Sequence, residues 1–398
     1  MEEQLARGPM DLPFLMLVLL LTGIGVIMVF SASFATAYYD SSVAQNDPTY
    51  YFIRQGAFAL AGLAIMYFVS KINYQTFRWM SVFVLGISFL LLLMVLIPGI
   101  GVTRNNATRW IKLPGIPQFQ PSEIAKIGVI MYFAARLSKR NTEKTRRLSP
   151  RHPLSGVAGV LERIGFLELV PYGAILLAVA GLMLMEPHMS GTILIMAGGA
   201  AVLFAAGIKL YWFIGGGSLM AAGLWFIMTQ TPYMASRISL WRNPWDDGMN
   251  GLGKGYQTIQ SLYAIGSGGL LGLGLGKSRQ KFLYIPEPEN DYIFAIVCEE
   301  LGYIGAAVVL ILFALLIIRG FWIAIHARDR FGALLVVGIT TLTAVQVFLN
   351  IAVVTNLIPV TGISLPFFSY GGTALIIQLA EMGMILSVSR QIPAPKQE

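Results

Sequence analysis

Ten apolar runs, most of them near the length needed to cross a bilayer, constrain this chain more than any other feature. They are Leu12–Ser33, Phe52–Ser70, Met80–Ile97, Ile124–Leu137, Leu169–Leu184, Thr192–Ile208, Leu210–Met228, Ile293–Ile318, Leu334–Val354 and Leu375–Val388. A helix needs about 20 apolar residues to span the hydrocarbon, so the shorter runs must borrow from polar flanks such as Pro121–Glu123. Only helices satisfy their own backbone hydrogen bonds in lipid, which makes the expected fold all-α, a single polytopic domain over residues 1–398. Composition agrees: 56% of residues are hydrophobic and 12% charged, against about 25% charged in a soluble domain. The first run is too long for the apolar core of a signal peptide, and it follows Glu2, Glu3 and Asp11 rather than a basic stretch, so it reads as a retained helix.

The net charge of +8 is distributed by side. Lys139, Arg140, Lys144, Arg146, Arg147, Arg151 and Arg163 crowd the loop at about 138–168, and Lys71, Arg78, Lys209, Arg319, Arg328, Arg330 and Arg390 share its face. The short loops 35–51, 185–191 and 355–373 have neither Lys nor Arg. By the positive-inside rule the basic face is cytoplasmic, and both termini lie on it. This explains the basic balance without nucleic acid. Two long loops then face outward, Pro98–Gln120 and about 229–290, the second lying before the eighth run. A loop of that length is unusual without a function.

The candidate chemistry gathers on the outer face. Glu123 and Lys126 stand three apart at the start of the fourth run, where they can pair as a structural tie or serve a site. Arg109, beside Trp110, is a natural partner for phosphate. Lys277, Arg279 and Lys281 form a basic cluster that either snorkels to lipid phosphates or holds a diphosphate. The glycines at 266–276 lack the spacing of a nucleotide loop. Asp291 precedes the eighth run, where a carboxylate is both a favourable helix-start acid and a candidate general base. Glu299 and Glu300, two turns deeper, read as structural pairing partners, and the stripe Thr343, Gln346, Asn350 reads as glue between helices. His152, His188 and His326 are scattered, so no histidine metal site is expected, and the single Cys298 excludes an internal disulfide.

Five segments carry a resemblance: Arg109-Trp110-Ile111, Gln120-Pro121-Ser122-Glu123, 260–269, Leu283-Tyr284-Ile285-Pro286-Glu287 with Asp291, and Leu365-Pro366-Phe367-Phe368-Ser369-Tyr370-Gly371-Gly372. In these the chain resembles the SEDS proteins (the FtsW/RodA/SpoVE group), and Gln257–Leu262 is most like the FtsW/SpoVE branch. The resemblance implies a ten-helix peptidoglycan glycosyltransferase that polymerises lipid II in division or sporulation, on the outer face of the bacterial cytoplasmic membrane. It implies as partners a class B penicillin-binding protein, undecaprenyl-diphosphate-linked glycan and other divisome or sporulation proteins. It makes Asp291 the catalytic base and Arg109, Glu123, Lys126, Lys277, Arg279, Glu287 and Ser369 the substrate-binding residues. A divalent cation, Mg2+ or Mn2+, is compatible with this chemistry, with Asp291 as its candidate ligand; no organic cofactor is expected. A lipid II flippase and a non-catalytic scaffold for the penicillin-binding protein are the competing functions. The turn Glu186-Pro187-His188 departs from the family's Pro-Asp-Leu-Gly, and no role is carried over to it.

Overall fold

A computed structural model describes residues 8–104, 107–112, 118–140, 165–186, 188–230 and 238–392. Lys144, Arg146, Arg147, Arg151 and Arg163 of the basic loop, and His152, lie outside the described residues. The helices are α1 (Leu12–Tyr39), α2 (Tyr50–Lys71), α3 (Tyr74–Val95), α4 (Pro121–Leu137), α5 (Phe166–Met185), α6 (Met189–Ala205), α7 (Leu210–Gln230), α8 (Tyr256–Gly268), α9 (Ile293–Ile325), α10 (Arg330–Val354) and α11 (Gly372–Ser389). Each of the ten apolar runs falls on a helix, and among the described residues seven helices are long and apolar enough to cross a membrane.

Two elements form within segments that the sequence reads as loops, and the first, a two-stranded ribbon, departs from the all-α expectation. Residues Gly101–Arg104 (β1) and Ala107–Ile111 (β2) pair antiparallel, with Val102 opposite Trp110 and Gly101 opposite Ile111. Their β-branched and aromatic residues suit a pleated ribbon, and the ribbon carries Arg109. The long loop at 229–290 also holds a helix, α8, whose buried face is Thr258, Ile259, Ser261 and Ala264.

The chain divides into two compact units. The first comprises residues 1–72, 218–322 and 343–398. Here α1 starts at Asp11, whose Oδ1 accepts from Phe14 N at 2.9 Å, with a proline in the first turn. That arrangement satisfies a backbone donor that helix geometry leaves over. Arg319 of α9 donates to both Asp11 oxygens, from Nη2 to Oδ2 at 2.7 Å and from Nε to Oδ1 at 3.0 Å, and tethers the same end. The α2–α11 contact is close: a Cβ on Gly62 would meet Leu379, and one on Gly383 would lie 2.7 Å from Met66 O. Small residues permit such backbone approach where lipid offers no hydrophobic drive between helices. In α9 the helix breaks at Gly302, with φ 69 and ψ −174, where a Cβ would fall 2.3 Å from Gly272 N. Only glycine fits there.

The second unit comprises residues 73–217 and 323–342. α4 lies at its centre, buried from Ala125 through Leu137 except for a few positions, and packs on α3, α5 and α6. The α6 C-terminal carbonyl of Ala206 receives Arg140 Nη1 at 3.0 Å and Arg330 Nη2 at 2.7 Å, which complements the negative end of the helix. Asp329 accepts from Tyr74 Oη, Gln75 Nε2 and Gly332 N, fixing the start of α10 beside α3.

Candidate active site

Asp291 lies in the first unit, half-buried, two residues before α9. Its backbone is fixed by neighbours. Asn350 Nδ2 donates to Asp291 O at 2.8 Å and to Ile363 O at 2.6 Å, so one amide from α10 joins the aspartate's turn to the loop at 359–371. Ser369 Oγ donates to Asn290 O at 2.8 Å and accepts from Leu365 N at 2.7 Å. Tyr370 N donates to Glu289 O at 2.8 Å. Gln346 Nε2 reaches Ser364 O at 3.1 Å, and Gln55 Nε2 reaches Ser369 O at 3.3 Å. The polar stripe on α10 is therefore less a glue between helices than a clamp on irregular backbone, which must find protein partners at membrane depth.

The side chain of Asp291 faces Gly362, where an added Cβ would lie 3.3 Å from Oδ2 and where φ is +70. Glycine serves at that position on both grounds. Glu287 is exposed, with φ 47, and accepts from Asn290 Nδ2 at 3.0 Å within the same turn. Glu289 is 3% exposed, and burial pushes its carboxyl up to about 7, against the pull of its own backbone N–H and with a further push from Glu287.

The basic cluster at 277–281 divides. Lys277 and Arg279 are exposed. Lys281 is 2% exposed and its Nζ donates to Glu300 Oε1 at 2.9 Å, Gly276 O at 2.7 Å and Ser31 Oγ at 3.1 Å. It is an internal tie, and the expectation that it faces phosphates is corrected. Glu299 and Glu300 are structural, as their sequence reading had it. Glu300 accepts from Ser31 Oγ, Gly276 N and Ser278 N, while Glu299 accepts from Ser278 Oγ, Arg279 N and Gln280 N. Two adjacent carboxylates thus hold the glycine-rich loop and set where Lys277 and Arg279 emerge.

Arg109, Glu123 and Lys126 belong to the second unit. Pro121 opens α4, Glu123 occupies its first turn, and Lys126 Nζ lies 2.7 Å from Glu123 Oε2 with the lysine almost wholly buried. The turn between α5 and α6 joins this group, which the sequence did not suggest. His188 Nε2 is 3.2 Å from Gln120 Nε2, and burial, with Arg109 and Lys126 nearby, drives its imidazole down to about 3, leaving it neutral. Glu186 is 1% exposed and burial pushes its carboxyl up to about 8, opposed by the positive charge of Arg109. Two ionisable residues in the three-residue turn between two apolar runs were the available signal.

Among the described residues no three His, Cys, Asp or Glu side chains gather to cage a metal ion. A hard cation that takes most of its oxygens from a diphosphate and water needs only one or two carboxylates, and Asp291 meets that smaller demand.

A family model described as cell cycle protein, covering the FtsW, RodA and SpoVE proteins, matches residues 11–393. The chain is 42% identical over 382 residues to stage V sporulation protein E of Bacillus subtilis, covering 96% of this chain and 97% of the relative. It is 40% identical over 383 residues to the probable peptidoglycan glycosyltransferase FtsW of Geobacter metallireducens, covering 96% and 95%. Among solved structures, a chain from a study of the structural coordination of polymerization and crosslinking by a peptidoglycan synthase complex superposes with TM-score 0.72 at 25% identity, covering 98% of this chain and 99% of that one. The crystal structure of rod shape determining protein RodA of Thermus thermophilus superposes with TM-score 0.64 at 25% identity, covering 97% and 98%. By this near full-length match the chain belongs to the FtsW/RodA/SpoVE family of multi-pass membrane proteins.

Proposed function

We propose that the protein is a peptidoglycan glycosyltransferase that polymerises lipid II at the outer face of the bacterial cytoplasmic membrane. The observation that carries this is the 40% identity, over 96% of the chain, to a relative named for that activity. The reaction follows from the chemistry of the candidate residues. The Asp291 carboxylate takes the proton from the 4-hydroxyl of the acceptor GlcNAc. The freed oxygen pair bonds to the anomeric carbon of MurNAc on the growing strand, and the bond from that carbon to undecaprenyl diphosphate breaks. The leaving diphosphate departs with the bonding pair, its charge met by the exposed Lys277 and Arg279; Arg109 and Lys126 are the further cations that the family resemblance gives to the substrate. Glu287 and Ser369 shape the turn that presents Asp291, Ser369 through Asn290 O and Glu287 through Asn290 Nδ2. A divalent cation, if bound, would have Asp291 as its candidate protein ligand and would supply positive charge for the developing diphosphate.

The partner in this reading is a class B penicillin-binding protein, whose transpeptidation would follow strand synthesis. Support comes from the structural neighbour, described as part of a peptidoglycan synthase complex. The test is polymerisation of purified lipid II by the purified protein, alone and with its partner. Asp291→Asn is expected to fold and to lose about 10²–10⁴-fold in rate, the usual contribution of a positioned base. Full activity in that variant refutes the assignment.

A further inference from the structure

The glycine-rich segment after α8 repairs the break in α9. In an unbroken helix Tyr303 N and Ile304 N would donate four residues back, to Glu299 O and Glu300 O. Around the non-helical Gly302 they donate instead to Gly269 O at 2.9 Å and to Leu270 O at 3.2 Å. Leu273 N and Gly274 N then donate to Glu299 O and Glu300 O, each at 3.0 Å. All four groups opened by the break are thereby paired, as irregular backbone requires where water is scarce. Two rulers place this junction relative to a bilayer. On α9, Arg319 is tied to Asp11, and its guanidinium lies 3.9 Å from the centre of the Trp322 ring, an anchor suited to the interface on the basic face. Gly302 stands 17 residues from Arg319, about 25 Å at 1.5 Å per residue. On α1, Lys281 Nζ of the same segment reaches Ser31, 19 residues beyond Leu12 and so about 28 Å along the helix. The hydrocarbon is about 30 Å thick, and both rulers therefore put the segment at its boundary on the Asp291 side.

The exposure pattern changes at the same level. Tyr292 through Glu300 are buried, whereas past the break Ile304, Val308, Ile311 and Leu315 are exposed at the spacing of one helix face. On a helix apolar enough to cross a membrane, that stripe is the lipid-facing side. Leu270 and Leu271 adjoin its upper end through the Leu270 O bond to Ile304 and are 71% and 80% exposed. Lys277 and Arg279 are exposed a few residues on, with Leu275 and Leu283 exposed on either side of them. Apolar tips with cations alongside suit a lipid interface, the tips in the acyl layer and the cations snorkelling to the phosphates. We propose that residues 269–284 form a foot on the bilayer surface. Leu270 and Leu271 enter the acyl layer of the leaflet on the Asp291 side, and Lys277 and Arg279 stand level with its phosphates. The polyprenyl diphosphate of the reaction above would then meet these cations without leaving its own leaflet. That consequence rests on the proposed reaction; the seating of the segment does not.

The test is the depth of position 271 in the full-length protein, reconstituted without its partner into vesicles of phosphatidylethanolamine and phosphatidylglycerol. Leu271→Cys, combined with Cys298→Ala, carries a nitroxide on its single thiol. Paramagnetic resonance reads its collisions with oxygen, which concentrates among acyl chains, and with a polar nickel chelate, which stays in water. Val308→Cys on the lipid-facing stripe and Val43→Cys in the loop between α1 and α2 give the two limits, and all three positions are exposed, where substitutions disturb folding least. The oxygen-to-nickel ratio at 271 is expected to approach that at 308 and to exceed that at 43 by about tenfold or more, since a polar reagent enters hydrocarbon only at a cost. A ratio at 271 equal to that at 43 puts the segment in water and overturns the proposal. Shielding from both reagents overturns it too, because a protein surface such as a second copy of this chain then covers the face. Leu270→Cys gives a second reading of the same face. The measurement involves no glycan synthesis, so it succeeds or fails independently of the polymerisation assay.

Discussion

Lys281→Met offers a sharp test of how the glycine-rich loop is held. The substitution keeps much of the buried volume and removes one charge. Glu300, 1% exposed, then retains Ser31 Oγ at 2.7 Å, Gly276 N at 2.9 Å and Ser278 N at 3.2 Å but loses its cation at 2.9 Å. Breaking one side of a buried ion pair costs about 3–5 kcal/mol, because the remaining charge is stranded in low dielectric. At roughly 1–2 °C per kcal/mol for a chain of this length, the melting point in detergent should fall by about 3–10 °C. Cys298 provides the readout. It is the chain's one cysteine, it is buried, and it lies one residue before Glu299, so labelling by a thiol-reactive dye on heating reports the opening of this region. Lys281→Met/Glu300→Gln should recover about half of the loss, since the amide keeps an oxygen for one backbone donor and carries no charge. A single variant melting within about 1 °C of wild type, or a double variant worse than the single, would show that charge pairing does not hold the loop.

Three further outcomes follow from named contacts. Gly302→Ala should destabilise by about 1–3 kcal/mol or more, read by the same thiol assay, since its backbone region is closed to a side chain and its Cβ would overlap Gly272 N. Asn350→Leu should lower kcat about 10–100-fold with a smaller change in KM, because two loop carbonyls lose their common donor and Asp291 shifts by a fraction of an ångström; an unchanged kcat in steady-state polymerisation refutes the clamp. Asp11→Asn should cost less in melting temperature than Asp11→Ala, as asparagine preserves the cap on Phe14 N while losing most of the attraction to Arg319.

Much of this molecule is legible along the chain because bilayer physics leaves few options. Runs such as Leu12–Ser33 and Leu334–Val354 can only be helices, and the structure makes them α1 and α10. Glu299 and Glu300 were legible too, since adjacent acids inside an apolar run must be satisfied or used. What stayed hidden depends on long-range geometry. Lys281 is chemically indistinguishable in sequence from Lys277 four residues earlier, and only folding turns one inward to Glu300 and leaves the other exposed. Asn350 looked like any polar residue on a membrane helix, because its partners Asp291 and Ile363 are separated from it along the chain. The β1–β2 hairpin was missed because its short strands sit inside a loop where no hydrophobic period is long enough to read.

The carboxylates around α9 show why burial alone does not identify a catalytic acid or base. Glu300 is more deeply buried than Asp291, but its oxygens are occupied by two backbone donors, a hydroxyl and an ammonium. Such a group lowers the energy of one conformation and has no acceptor capacity left for a sugar hydroxyl. At Asp291 the hydrogen bond from Asn350 goes to the backbone carbonyl, which fixes the turn through the main chain. The neighbouring Gly362 lets the backbone come close to Oδ2 where a side chain would crowd it. The protein thus keeps the position of the aspartate rigid through its main chain while its carboxylate remains half-exposed at the helix mouth. In the reaction proposed above, rigid placement of the carboxylate by its backbone would serve a base whose acceptor hydroxyl arrives on a lipid-tethered sugar of already confined approach.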